Sequence, residues 1–307
     1  MAKILLFNPR SANYKPRIPN SILSIASSIH GLHDYFVVDG NMEQDPWEKI
    51  HQYLLHENIR YFGCTSMPGP QLKQSIPISK KIRELFPEVK IIWGGYFPSN
   101  QFKTVLHSGY VDFIVNGPGE KTFPTLVNAL ENNQPYELIH NLIYRSGDNI
   151  IKTAKDELYE PDELPALPYE KLNSFYPLRR YLGKTYLGTK TIAYHSSYGC
   201  PFKCSFCAVV PIYNARWKGK SAQLIYDDIK YLKDNYGGNA IEFHDNNFFV
   251  SEKRTVEFSK LIQPENMTWW GEGRIDTIDK YNDESLAAMR ESGCRMIFFG
   301  AETGNDE

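Results

Sequence analysis

Three of the five cysteines fall within eight residues, in the run Tyr198-Gly199-Cys200-Pro201-Phe202-Lys203-Cys204-Ser205-Phe206-Cys207. Thiolates held by one tight loop at a Cys-x3-Cys-x2-Cys spacing can bind three irons of a cubane and leave the fourth open to a small molecule. Zinc is the competing reading, although a zinc site usually brings a fourth Cys or His at a paired spacing. His195, His244 and Cys294 stand in no such arrangement. A disulfide framework fits neither an odd set of three nor the reducing compartment that such a cluster needs. Cys64 and Cys294 read as small core residues, and His30, His33, His51 and His56 show no ligand spacing.

The elements that must position this loop follow a βα rhythm. A strand is expected at 191–195, just before the cysteines, with further strands at 240–244, 268–271 and 295–299. Ahead of them, strands at 3–8, 34–39, 60–65, 89–93 and 111–116 alternate with helical segments at 18–29, 47–56, 72–86, 102–107 and 121–132. Five such units make one doubly wound parallel sheet, whose ligands sit beyond the carboxyl ends of the strands. The loops there read Asn8-Pro9-Arg10, Thr65-Ser66-Met67-Pro68-Gly69, Gly94-Gly95-Tyr96-Phe97-Pro98 and Asn116-Gly117-Pro118-Gly119-Glu120. For any one loop, turn formation explains the Gly and Pro as well as a ligand does; four on one sheet edge favour a site. Residues 141–153 read as a β-hairpin, and the Pro-punctuated stretch 157–177 as an interdomain linker. The resulting division is 1–135, 136–185 and 186–307. Arg216 and Lys218 read as solvated charges on a helix face.

With 307 residues, 42% of them hydrophobic, the chain has enough apolar material for two ordinary cores. Its 34 basic and 36 acidic residues are spread along the chain, so nothing draws it generally to nucleic acid or an anionic membrane. A small-molecule substrate is expected. No run reaches the length of a membrane span, and the short apolar start lacks a cleavage site, which together with the cysteine usage predicts a cytoplasmic protein.

Cys200-x3-Cys204-x-Phe206-Cys207 resembles the signature of the radical S-adenosylmethionine (SAM) superfamily. The resemblance implies a [4Fe–4S] cluster on Cys200, Cys204 and Cys207, SAM chelated to the open iron, and Phe206 shielding the cluster. It implies a partial (β/α) TIM-type barrel and an external electron donor such as flavodoxin or ferredoxin. Asp245-Asn246-Asn247-Phe248-Phe249 is similar to the family's Asp-Asp-x-Phe element near the SAM amino group, which makes Asp245 and Asn246 candidates, the second acid being an amide here. Glu272-Gly273-Arg274-Ile275-Asp276 resembles its Arg-x-Asp turn, so that Arg274 is expected to meet the SAM carboxylate. Gly300-Ala301-Glu302-Thr303-Gly304 resembles its Gly-x-Glu-Ser-Gly element, which offers Glu302.

The front domain resembles that of the cobalamin-dependent subclass, which includes carbon methyltransferases and an anaerobic porphyrin ring cyclase. By this resemblance it is a flavodoxin-like sheet that holds cobalamin through Gly94, Gly95, Gly117, Gly119 and Glu120, to which the strand-end loops add Asn8 and Ser66 as candidates. Asp-x-His-x-x-Gly is absent and Phe97 stands where the subclass often has His, so no histidine is expected beneath cobalt. The implied activity is methylation of an unactivated carbon. The alternatives are a radical cyclase, oxidase or rearrangement enzyme, and a non-catalytic metal- or corrinoid-binding module. Four barrel strands precede Glu307 where the family has about six, so the barrel is expected to be incomplete at its C-terminal end.

Overall fold

Strands covered on both faces need near-continuous apolar sequence. The run Ile4-Leu5-Leu6-Phe7, with each residue at most 1% exposed, is such a strand. It belongs to the first of two units in the computed structural model, which describes residues 1–12, 15–302 and 304. The first unit comprises Met1–Glu157 with Leu164–Pro177, and the second Leu158–Glu163 with the chain from Leu178 onward.

The first unit contains β1 (Lys3–Asn8), α1 (Asn20–Ile29), β2 (Asp34–Asp39), α2 (Pro46–His56), β3 (Tyr61–Thr65), α3 (Leu72–Leu85), β4 (Lys90–Gly94), α4 (Tyr96–Asn100), α5 (Phe102–His107), β5 (Phe113–Val115), α6 (Thr122–Glu131), β6 (Leu142–Ser146), β7 (Asn149–Lys152) and α7 (Tyr169–Phe175). The sheet order is β2-β1-β3-β4-β5-β6-β7. β1 to β5 are parallel, and the hairpin β6–β7 adds two antiparallel strands at one edge. This is the flavodoxin-like order, with its direction reversing between β1 and β3, the switch point at which such sheets bind ligands. Two elements differ from the sequence reading. The loop after β4 winds into α4, and the Pro-rich stretch carries α7, which buries Tyr169 and Leu172. Tyr176, just beyond α7, donates its hydroxyl to Glu43 at 2.7 Å and receives the Asp39 N–H at 3.2 Å.

The second unit contains β8 (Thr191–Tyr194), β9 (Ser197–Gly199), α8 (Val210–Tyr213), β10 (Trp217–Gly219), α9 (Ala222–Tyr236), β11 (Ala240–Phe243), α10 (Glu252–Ile262), β12 (Thr268–Gly273), α11 (Ile275–Ile278), α12 (Asp283–Glu291) and β13 (Cys294–Phe299). β8, β11, β12 and β13 lie side by side in chain order and all parallel, the arrangement of barrel staves. Their outer faces rest on an aromatic core of Phe243, Phe248, Phe249, Phe258 and Trp269, each fully buried. β9 and β10 form a separate antiparallel pair. Lys218 therefore lies in a strand, paired with Glu160, and Arg216 precedes it in a turn where its Nε donates to Tyr213 O at 3.1 Å. Neither is on a helix face; β10 is too short to show an alternation in the sequence, and Arg216 lies between α8 and β10.

Candidate cofactor-binding sites

In the second unit the cysteine loop is anchored from behind. Asp245, just past β11, is 1% exposed, and its oxygens accept from Ser196 N at 3.2 and 3.1 Å, from Ser196 Oγ at 2.8 Å and from Ser197 Oγ. Arg254 of α10 donates to Ser196 Oγ at 3.0 Å and to Phe248 O at 2.8 Å. Burial lowers the Arg254 pKa and the Asp245 charge opposes that shift. The carboxylate is thus occupied inside the protein, as a brace for the turn that leads into β9. Gly199 then takes φ +74, and a Cβ there would lie 2.3 Å from Arg216 O, so only glycine fits just before Cys200.

Cys200, Cys204 and Cys207 are all partly accessible free thiols, and the Cys207 N–H donates to Cys204 O at 3.1 Å. Burial raises the Cys200 thiol pKa, and the Phe202 N–H and the Asn247 carboxamide act on its sulfur in the opposite sense. Arg274, beyond β12, donates Nη1 to Cys204 Sγ at 3.3 Å. It lies over the Phe202 ring at 4.1 Å and is held by Asp276 through two hydrogen bonds of 2.9 Å. Among the described residues no three His, Cys, Asp or Glu converge on one ion; in a cubane each thiolate meets a different iron.

The structure places Phe206 in the same loop with its ring 69% exposed, Asn246 half-buried beyond β11, and Glu302 exposed beyond β13 with φ 59. Thr303 lies outside the described residues. His244 sits 3.6 Å from Glu242 rather than near a thiol partner, and burial pushes the Cys294 thiol up to about 12. The residues missed in the sequence are Ser196, Asn247 and Arg254. Their partners lie up to 58 positions away, and no local spacing reports them.

In the first unit, the predicted loops gather at the carboxyl edge of the sheet, but several side chains are already engaged. Asn8 donates to Asp39 at 3.1 Å, and Ser66 Oγ pairs with Ser75 Oγ at 2.7 Å. Both residues are buried. Gly95, at φ +97, packs against Ser66, where a Cβ would come within 2.8 Å of its carbonyl oxygen. Gly119 packs against Ile25. Gly94 is different: a Cβ there meets nothing within 4 Å. Gly117 takes φ +111 beside Asn116, and Glu120 is buried. Phe97 packs partly buried against the hydrophobic core, which accounts for an aromatic at that position.

Residues 17–127 match the B12 binding domain family, and residues 194–307 match the radical SAM superfamily. The chain thus carries a B12 binding domain followed by a radical SAM domain. It is 27% identical to an uncharacterized methyltransferase, PH0819, of Pyrococcus horikoshii, over 99% of this chain and 66% of that protein. It is 28% identical to an anaerobic magnesium-protoporphyrin IX monomethyl ester cyclase of Synechocystis sp., over 73% of this chain and 44% of that protein. The chain therefore spans about half to two thirds of these relatives. In fold it is similar to the cobalamin-dependent radical SAM enzyme OxsB, with a TM-score of 0.82 at 15% identity, covering 99% of this chain and 44% of OxsB. It is likewise similar to the methyltransferase TsrM of Kitasatospora setae, with a TM-score of 0.78 at 17% identity over 100% of this chain and 60% of TsrM.

The domains imply a [4Fe–4S] cluster, SAM and cobalamin, and the residues fit those groups. Three accessible thiols in one loop, with a guanidinium on one sulfur, suit an anionic cluster. A Cβ at Gly94 would meet nothing within 4 Å, so the backbone there is open to close approach. In the same edge loops Asn116 Nδ2 and Ser99 Oγ are buried with no hydrogen-bond partner among the described residues, which is where a ligand's polar groups would be received. No helix among the described residues is long and apolar enough to cross a membrane.

Proposed function

We propose that this chain carries out cobalamin-dependent radical methylation of an unactivated carbon on a small-molecule substrate. The reading is supported chiefly by the pairing, in one chain, of a B12 binding domain with a three-cysteine radical SAM loop. When bound, the cluster supplies the electron that splits SAM to a 5′-deoxyadenosyl radical, and cobalamin supplies the methyl carrier.

The chain's own residues have distinct tasks. Cys200, Cys204 and Cys207 hold the cluster and Phe206 covers it. Asn246, Arg274 and Glu302 face SAM, while Asp245 holds the loop by accepting from Ser196 and Ser197. In the first unit Gly94, Gly95, Gly117, Gly119 and Glu120 form the cobalamin surface. Asn8 and Ser66 contribute through backbone, since their side chains are occupied by Asp39 and Ser75. An external electron donor of the flavodoxin or ferredoxin type, working in the cytoplasm, completes the scheme.

The test is anaerobic reconstitution of the full-length protein with iron, sulfide and hydroxocobalamin, followed by metal and corrinoid counts after desalting. About four irons and one cobalt per chain is the expected result. Four irons without cobalt would replace methylation by another radical reaction, a reading that the cyclase relatives also favour. A colourless protein that holds zinc would end both readings.

A further inference from the structure

Resting on the assignment of Cys200 and Cys204 as cluster ligands, we infer that Arg274 and Asn247 donate hydrogen bonds to those two sulfurs and thereby set the cluster's reduction potential. The Arg274 contact is already formed, Nη1 to Cys204 Sγ at 3.3 Å. Its guanidinium cannot swing freely, because Asp276 grips Nε and Nη2 at 2.9 Å each and the Phe202 ring lies beneath it at 4.1 Å. With those two nitrogens engaged, the Nη1 protons remain for sulfur.

Asn247 approaches from the neighbouring strand end. It is 1% exposed, and neither Nδ2 nor Oδ1 has a hydrogen bond of normal geometry among the described residues. A buried carboxamide left so is costly, and its neighbour is the Cys200 sulfur. The same segment is pinned at that height by Asp245 accepting from Ser196 and Ser197, and by Phe248, which is fully buried in the core. Arg274, at the end of β12, thus donates to one of the three sulfurs, and Asn247, at the end of β11, lies buried with its carboxamide unpaired among the described residues. Hydrogen bonds to the sulfurs are one of the means by which a protein sets the potential of such a cluster. They favour the more negatively charged, reduced state, so their removal makes reduction harder.

This differs from a role in SAM binding alone, and the two can be separated. Full-length protein is reconstituted as wild type, Arg274→Gln and Asn247→Leu, and the cluster's midpoint is read by EPR-monitored redox titration with and without SAM. The expected result is a more negative midpoint in both variants without SAM, at unchanged iron content. Midpoints equal to wild type without SAM, with iron retained, overturn the inference. If a variant loses its iron, wild-type protein carrying guanidino-15N arginine decides the arginine half: pulsed EPR of the reduced cluster without SAM is expected to show a nitrogen-15 coupling, and its absence overturns it. Side-chain-15N asparagine serves Asn247 in the same way. Failure of wild type to assemble any [4Fe–4S] cluster is a separate outcome, which removes the assignment on which the inference rests.

Discussion

Replacing Cys204 with Ala removes a thiolate and leaves Arg274 without its sulfur acceptor, while Asp276 still holds the guanidinium. The expected result is protein that no longer binds a full complement of iron and no longer releases 5′-deoxyadenosine from SAM. Its far-ultraviolet circular dichroism should match wild type, because the loop carries none of the core. Retained SAM cleavage would remove Cys204 from the ligand set. Asp245 predicts differently. Asp245→Asn replaces an acceptor-only group by one with two N–H donors facing Ser196 and Ser197, and it removes the charge that opposes the lowered Arg254 pKa. A loss of about 1–3 kcal/mol is expected, read as a lower urea midpoint, together with poorer iron retention. A variant that keeps wild-type stability but fails to bind SAM would instead make Asp245 a direct ligand.

At the scale of elements, the turn from β9 into the cysteines depends on Gly199. Its φ of +74 and the 2.3 Å approach of a Cβ to Arg216 O leave no room for alanine. Gly199→Ala should destabilise by about 1–3 kcal/mol and lower iron content even though no ligand is touched. A variant that loads four irons would show that the loop adjusts more readily than its backbone contacts suggest. The packing of α9 makes a pH prediction. Glu265, after α10, accepts from Lys233 of α9 at 2.6 Å, and this hydrogen bond holds its carboxyl below the usual carboxylate range. A depressed acid contributes stability above its unfolded pKa and loses it as pH falls through the folded value. Glu265→Gln should therefore cost under about 1 kcal/mol at neutral pH for a single half-buried pair, read as a slightly lower melting temperature, and make no difference in strong acid. Equal melting temperatures for the two proteins at neutral pH would show the pair to be inert. Elements of this kind were unevenly legible in the sequence. Buried strands such as Lys3–Asn8 announce themselves by composition, and β11 to β13 by their rhythm. β9, β10 and α4 do not, since three to five residues are too few to show a period. The sequence offers Asp245 as a candidate near the SAM amino group; its bonds to Ser196 and Ser197 cannot be read there, because those residues lie 49 and 48 positions away.

For the molecule as a whole, two units with separate sheets should lose their cofactors separately. Gly94 offers the cleanest probe of the first unit. It ends β4 without a positive φ, and a Cβ there would meet nothing within 4 Å, so a side chain can branch from this position without displacing a neighbour at its Cβ. Gly94→Val is thus expected to fold normally while filling the room into which the corrin would lie. Cobalt on the reconstituted protein should fall by about tenfold or more, equivalent to roughly 1.4 kcal/mol of lost binding, with the iron content unchanged. Cys204→Ala should give the converse, cobalt retained and iron lost. If Gly94→Val keeps its cobalt, the corrin does not lie over the end of β4, and the buried amide of Asn116 and hydroxyl of Ser99 become the next places to look for its contacts.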